Sequence, residues 1–425
     1  VSDVKGLFSS GIIVFILKII GAGLSLLNTI IIAKELGVDD AGIYFFAFSL
    51  LVLLGTFSRL GVDNVIVKSS SLHSSTAEMG KVKYEFLLIS IVIFFFSCFV
   101  CFIISLSIFF GAFSSLNEIY LYFFLGVTGL SLSFIVSNFL LGIGYPVLST
   151  FMVSVLIPSV FLFLLYAYKY SSDTLLTLEA CFMLYCITVF LVGAFSFLFF
   201  CYKVRYVNKI KSAPKSLYFL SKIFFISVIA DLVFLNTPIF VLEKFSTPAD
   251  VALYSVSFRI ATLLAFVFVS LNRVISPSFT VMYAKSMFFE LFLLIKKCVA
   301  LILSCGAFFM ILCYFFSDYI LLLFGEEYLA ASSLLLLFVL FQMLCSLYYF
   351  IRNIFQLTGQ EQKAKKNDFL LAIIGLCSSL ILTPIFDSNG AIVSLIISVF
   401  ITLLISVNQL YKSETYSKYR NNVCR

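Results

Sequence analysis

Apolar runs long enough to cross a bilayer, which takes about 20 residues, fill almost the whole chain between short polar connectors. They fall at 8–33, 43–66, 86–110, 118–142, 147–167, 177–201, 219–242, 252–275, 296–316, 330–354, 369–386 and 390–410. The pattern predicts an all-α integral membrane protein with twelve transmembrane helices. The first run is too long for the apolar region of a signal peptide and lacks a cleavage site.

The second half repeats the first. A shift of 210 places Lys34 on Lys244, Asp40 on Asp250, Tyr44 on Tyr254 and Phe48 on Phe258. Each half opens with a helix, an acidic turn and a helix that begins on Tyr. Such a repeat predicts two pseudo-symmetric six-helix bundles around a central cavity. They cover 1–210, with a basic cytoplasmic linker from about 202, and 211–425, which ends in a short cytoplasmic tail.

Composition removes the soluble alternative. The chain is 62% hydrophobic and 12% charged, and its mean hydropathy is +1.14; soluble domains carry about 25% charged residues. Of the 28 Lys and Arg, 20 fall in one set of connectors and termini, three (Lys34, Lys169, Lys244) in the opposite set, and five within spans. That asymmetry puts both termini in the cytoplasm. The linker Tyr202–Ser221 suits an anionic lipid surface. Trp is absent, so tyrosines such as Tyr44, Tyr170, Tyr202, Tyr319, Tyr328 and Tyr411 are expected to form the interfacial belt. The 11 Cys lie in or beside apolar runs and imply no disulfide framework. Cys98 and Cys101 read as packing residues, because a zinc site needs four converging ligands. No metal or cofactor is expected, and Asp39-Asp40 reads as a solvated turn.

Charge inside hydrocarbon costs about 2.5–3.5 kcal/mol per residue on insertion scales, so the residues within the spans carry most of the functional information. Helical spacing aligns Lys18, Ser25 and Thr29 in the first span, with Gly21 and Asn28 at the edge of the stripe. It aligns Thr56, Arg59 and Asp63 in the second span, Ser255, Arg259, Thr262 and Arg273 in the eighth, and Cys345, Tyr348, Tyr349 and Arg352 in the tenth. The seventh span carries Asp231, with Asn236 and Pro238 beyond it. Cations outnumber carboxylates, so a cavity lined this way attracts an anion.

Each charge also has a structural reading. Arg59 either faces the cavity or pairs with Asp63 at i,i+4, and Arg273 and Arg352 either face it or snorkel to the cytoplasmic interface. Lys18 and Arg259 lie too deep for that. Asp231 either offsets a neighbouring cation such as Lys18 or couples transport to a proton or sodium gradient. Asn138 suits a sugar contact and a helix-bridging bond equally. No Gly-Lys-Ser/Thr phosphate loop occurs, so energy is expected from gradients.

Several stretches resemble the O-antigen flippase (Wzx) family of polysaccharide exporters, grouped with MATE-type exporters and lipid II flippases. They are Ile32-Ala-Lys-Glu-Leu-Gly-Val-Asp-Asp-Ala-Gly-Ile-Tyr44, Leu60-Gly-Val-Asp-Asn-Val-Ile-Val-Lys68, Leu271-Asn-Arg-Val-Ile-Ser-Pro277, Leu322-Leu-Phe-Gly-Glu-Glu-Tyr-Leu-Ala-Ala331 and Ile385-Phe-Asp-Ser-Asn-Gly-Ala-Ile392. The resemblance implies a MATE-like fold working by alternating access in the bacterial inner membrane. Its cargo would be an undecaprenyl-pyrophosphate-linked repeat unit, moved from the cytoplasmic to the periplasmic leaflet. Partners would be membrane lipids, a glycan polymerase and a chain-length regulator, with no nucleic acid. A cationic cavity suits the pyrophosphate. The alternatives are a MATE-like exporter of cationic drugs, which would want an acidic cavity, a lipid II flippase, for which the resemblance implies fourteen spans, and a membrane enzyme of glycan assembly, for which no catalytic constellation or large external loop is present.

Overall fold

A computed structural model describes residues 2–59, 61–75, 79–109, 114–171, 176–203, 216–265 and 287–412, together with 268, 275, 279, 282, 283 and 285. Side chains are described for the same residues except 2–10, 64, 72–75, 79, 81, 107–109, 114 and 216–227. Arg273 and the basic connector 204–215 lie outside this set.

The described chain is helical almost throughout, as hydrocarbon requires, because a helix satisfies its backbone polar groups internally. The helices are α1 (Ser2–Ser58), α2 (Asp63–Ser75), α3 (Met79–Phe109), α4 (Phe123–Gly142), α5 (Pro146–Ser171), α6 (Leu178–Lys203), α7 (Ser216–Phe245), α8 (Pro248–Ala261), α9 (Phe288–Leu322), α10 (Ser332–Leu357) and α11 (Glu361–Tyr411). Eight of the described helices are long and apolar enough to cross a membrane. Two of those eight are double length. α1 bends at Gly37, whose φ of 75° favours glycine, and α11 bends at Phe386 and Asp387, just after Pro384. Nine of the twelve expected spans fall largely in these eight helices, and 43–66 lies in α1 as far as Ser58 and ends in α2. The span 219–242 falls in α7, and 252–275 begins in α8 and runs on partly beyond the described residues.

Contacts divide the chain into two compact units, Val1–Ile229 and Ala230–Arg425. The division falls inside α7, beyond the basic connector.

In the first unit α4 is central, packed against α1, α2, α3 and α6. Small residues permit the closest approach: a Cβ at Gly193 of α6 would sit 2.6 Å from the carbonyl oxygen of Gly129 on α4. Such glycine contacts are a common way for membrane helices to associate. Phe86, Phe139 and Phe200 fill one core, with Phe86 and Phe200 ring centroids 4.4 Å apart. α5 contains a π-helical turn over Phe151–Leu156, just before Pro158. α1 closes onto that turn through Gly21, and Asn28 donates to the Pro158 carbonyl at 2.9 Å.

In the second unit α10 packs against α8, α9 and α11. The two limbs of α11 run antiparallel, held by hydroxyls and amides. Ser379 and Ser394 are 2.8 Å apart, Ser378 and Ser398 3.2 Å, and Asn367 donates to Ser406 at 2.9 Å. The turn before α10 uses Gly325 at φ 137°, and the Tyr328 ring packs over it. Thr247 and Asp250 form a reciprocal cap at the start of α8. Ser246 and Ser388 tie that corner to the bend of α11, donating to Asp387 and Asp250.

The repeat-related tyrosines have similar surroundings. Tyr44 is buried edge-on to Phe182, and Tyr254 is buried edge-on to Phe338. Tyr44 and Tyr328, expected in the interfacial belt, are therefore core residues, at 1% exposure each. Tyr170, Tyr202, Tyr319 and Tyr411 are exposed. The ten described cysteines are all free, and Cys101 donates to the Phe123 carbonyl.

Candidate functional site

Each unit places an arginine and an aspartate in contact within its helices. In the first unit Arg59 directly follows α1, which ends at Ser58, and α2 begins four residues later at Asp63. Arg59 Nε lies 3.4 Å from Asp63 Oδ2, and one terminal nitrogen donates to Thr56 Oγ1 at 3.0 Å. The guanidinium also lies 4.2 Å from the ring centre of Phe134 on α4, a cation–π contact. Asn138, also on α4, donates to the second oxygen of Asp63 at 2.7 Å. Arg59 is thus buried and held on several sides. Of the two readings of Asn138, the structure supplies the helix bridge.

The second unit holds a larger cluster. Arg352 of α10 donates toward Asp368 of α11 at 2.8 Å and faces Asp231 of α7 at 3.6 Å. Tyr348, one turn before Arg352, donates its hydroxyl to the other oxygen of Asp368 at 2.7 Å. The Tyr349 ring lies 5.6 Å from the guanidinium. Asp368 is 3% exposed, whereas the Asp231 side chain is 33% exposed. The two carboxylates are therefore unequal: Asp368 is a buried, doubly bonded anchor, and Asp231 is a looser, more accessible partner. One arginine and two aspartates carry a formal charge of minus one when all are ionised.

This geometry redistributes the expected roles. The expectation for Asp231 named Lys18 as its neighbouring cation; the cation the structure sets beside it is Arg352. Arg59 and Arg352 are both engaged with carboxylates, so neither adds net positive charge to its surroundings. Lys18, on the first limb of α1, and Arg259, on α8, are half-buried. Asn28 is buried, and its Oδ1 has no hydrogen-bond partner among the described residues. Ser25 is exposed. Asn236 spends its amide on the Leu232 carbonyl at 2.9 Å.

Asp368 escaped sequence reasoning because it precedes the apolar run beginning at 369, inside a stretch rich in lysine. Its signal was the neighbouring Asn367, which together with Asp368 puts two polar groups on the first turns of a spanning helix. Glu85 is a second such case: it is 3% exposed at the start of α3 and accepts from Ser69 at 2.5 Å. Among the described residues no group of three or more His, Cys, Asp or Glu could hold a metal ion. Asp39 and Asp40 are both exposed.

The fold is that of known membrane carriers. The structure matches an inward-facing multidrug resistance MATE family transporter of the MOP superfamily with a TM-score of 0.71, covering 96% of this chain and 99% of that one at 12% identity. An outward-facing MATE transporter of that superfamily matches at 0.69 over 97% and 96%, also at 12% identity. The lipid II flippase MurJ, in an inward closed conformation, matches at 0.68 over 97% and 91%, at 16% identity. No family model matches the sequence, and no curated relative matches it. The chain is a multi-pass membrane protein with this all-helical fold.

Proposed function

We propose that this protein is a flippase for lipid-linked glycans. It would carry undecaprenyl-pyrophosphate-linked O-antigen or polysaccharide repeat units from the cytoplasmic to the periplasmic leaflet by alternating access. The observation that carries the reading is the pair of intramembrane cations, Lys18 and Arg259, in a fold shared with a lipid II flippase. A doubly charged headgroup within a membrane needs positive partners, and Lys18 on the first span and Arg259 on the eighth supply one from each half of the chain. The five motif stretches distributed along the sequence support the same reading, as does the absence of a phosphate-binding loop from the sequence. Both termini would lie in the cytoplasm, and a polymerase and chain-length regulator would act on the product. Asp231, the accessible member of its cluster, is the residue we assign to coupling with a proton or sodium gradient.

One observation favours a second reading. The cluster of Asp231, Arg352 and Asp368 is formally negative, and an excess of carboxylate within the membrane suits an exporter of cationic drugs, as in a MATE-like carrier. Deletion in the native bacterium separates the two. The flippase reading expects complete, pyrophosphate-linked repeat units to accumulate while surface polysaccharide is lost. Truncated units would point to a glycosyltransferase. Normal surface glycan with altered drug sensitivity would favour the exporter.

A further inference from the structure

The second unit contains a crevice of about 440 Å³, lined by Leu263, Leu264, Ser304, Cys305, Phe308 and Phe309. It opens where α8 ends. After Ala261 the chain tightens into a 3₁₀ turn over Thr262–Leu264, and this turn lies against the middle of α9. α9 is among the least buried of the membrane-length helices, and Phe308, on the lip of the crevice, is 66% exposed. Gly306, on the same stretch of α9, packs instead against Met343 of α10. The crevice therefore communicates with the hydrocarbon around α9. Its lining is apolar apart from Ser304, whose hydroxyl is already spent on the Leu301 carbonyl at 3.0 Å. Its volume lies within the range of sites that hold a small ligand, about 300–1,000 Å³. At this depth only hydrocarbon can fill it without leaving a polar group unsatisfied.

The position of Arg259 selects the kind of hydrocarbon. Arg259 precedes Leu263 by one helical turn, and the Thr262 hydroxyl locks the intervening backbone by donating to the Arg259 carbonyl at 2.7 Å. A phosphate held by Arg259 would thus be about one turn, roughly 5 Å, from the start of the crevice. In a polyprenyl diphosphate the isoprenoid chain is esterified directly to phosphate, so charge and tail are adjacent. In a glycerophospholipid a glycerol and its ester groups separate them and would have to be buried against Leu263. We infer that this crevice is the seat of the first isoprene units of a polyprenyl-diphosphate cargo, with Arg259 holding the adjoining phosphate. The inference rests on the flippase reading and adds to it the place where the tail leaves the protein for the bilayer.

The test uses the full chain in vesicles of phosphatidylethanolamine and phosphatidylglycerol, with undecaprenyl pyrophosphate as the probe. Phe308→p-benzoylphenylalanine places a photoreactive group on the lip. Phe315→p-benzoylphenylalanine is the control, also exposed and about two turns further along α9. The expected result is a polyprenyl adduct at position 308 exceeding that at 315 by about tenfold or more. Leu263→Trp, which narrows the crevice, should reduce that adduct by a similar factor without moving the apparent melting temperature. Equal labelling at both positions, or adducts with phospholipid chains alone, would overturn the assignment. Saturable binding of the probe with adducts elsewhere would sink the crevice and leave the flippase reading standing. Absence of any saturable binding would remove both.

Discussion

Gly21 of α1 lies against the backbone of Ser154 in α5, so closely that a Cβ there would sit 2.1 Å from the Ser154 carbonyl oxygen. The contact falls on the π-helical turn, where the chain approaches Pro158. Proline brings no N–H to the carbonyls one turn back, and the bare backbone of Gly21 is what fits against that surface. Gly21→Ala should therefore destabilise the protein by about 1–3 kcal/mol through overpacking. Gly23, with open space around it, provides the control. Apparent melting temperatures in detergent should fall for Gly21→Ala and stay put for Gly23→Ala; equal behaviour would dispose of the close contact.

The two carboxylates around Arg352 should respond unequally to removal. Asp368→Ala leaves the half-buried Arg352 guanidinium and the Tyr348 hydroxyl without their main partner, a loss of about 3 kcal/mol, the low end for a buried pair. Asp231 is a third exposed and 3.6 Å away, so Asp231→Ala should cost about 1 kcal/mol or less after solvent screening. Thermal inactivation of the two variants ranks them directly, and a reversed order would show that Asp368 is not the anchor.

Transport should follow a different ranking. Replacing Lys18 and Arg259 together with Ala removes the charge-assisted contacts proposed for the pyrophosphate, each worth about 1.5–3 kcal/mol. Glycan export should drop about tenfold or more per site, with protein level and membrane insertion unchanged. A fully active double variant would end the cationic-cavity proposal. Arg59→Ala, by contrast, should act first on protein level, since Arg59 is enclosed by Asp63, Thr56 and Phe134.

Asp231→Asn keeps the shape of the side chain and removes its charge. If Asp231 couples the cycle to an ion, this variant should lose gradient-driven flipping in vesicles while keeping its fold. Gradient dependence identical to the parent would reduce Asp231 to a charge-balancing residue beside Arg352.

Tyr328 offers a test with the opposite sign. Its hydroxyl is buried and has no hydrogen-bond partner among the described residues. Removing a buried, unsatisfied polar group removes a desolvation penalty, so Tyr328→Phe should match or exceed the parent in melting temperature. A marked loss of stability would mean that the hydroxyl has a partner in the folded protein.

The spans, the repeat and the helical class are local or periodic properties, and periodicity survives in a sequence read alone. The bend at Gly37 was legible as a polar connector. The bend at Asp387 was legible from Pro384 and the polar residues after it. The site was less legible, because its contacts are long-range. Arg352 and Tyr348 share a stripe at i,i+4 spacing, so their neighbourhood shows in the sequence. The carboxylates that meet them come from α7 and from the far side of the turn into α11, which no spacing rule connects. The same applies to Asn138, whose partner Asp63 is 75 positions away. Tyr44 and Tyr328 show the converse error: each sits near the end of an apolar run, where an interfacial tyrosine is expected, yet aromatic packing draws it into the core.

The serine-rich pairing inside α11 bears on how the last stretch of the chain enters the membrane. Taken separately, each limb would carry several hydroxyls and amides into hydrocarbon. Paired, Ser378, Ser379, Ser394 and Ser398 satisfy one another or a nearby carbonyl, and Asn367 is matched by Ser406 and Gln409. The two limbs therefore have a common interest in leaving the insertion machinery together, as a pre-assembled helical pair. A ribosome that has finished the first limb has made only half of a unit that the lipid will accept comfortably.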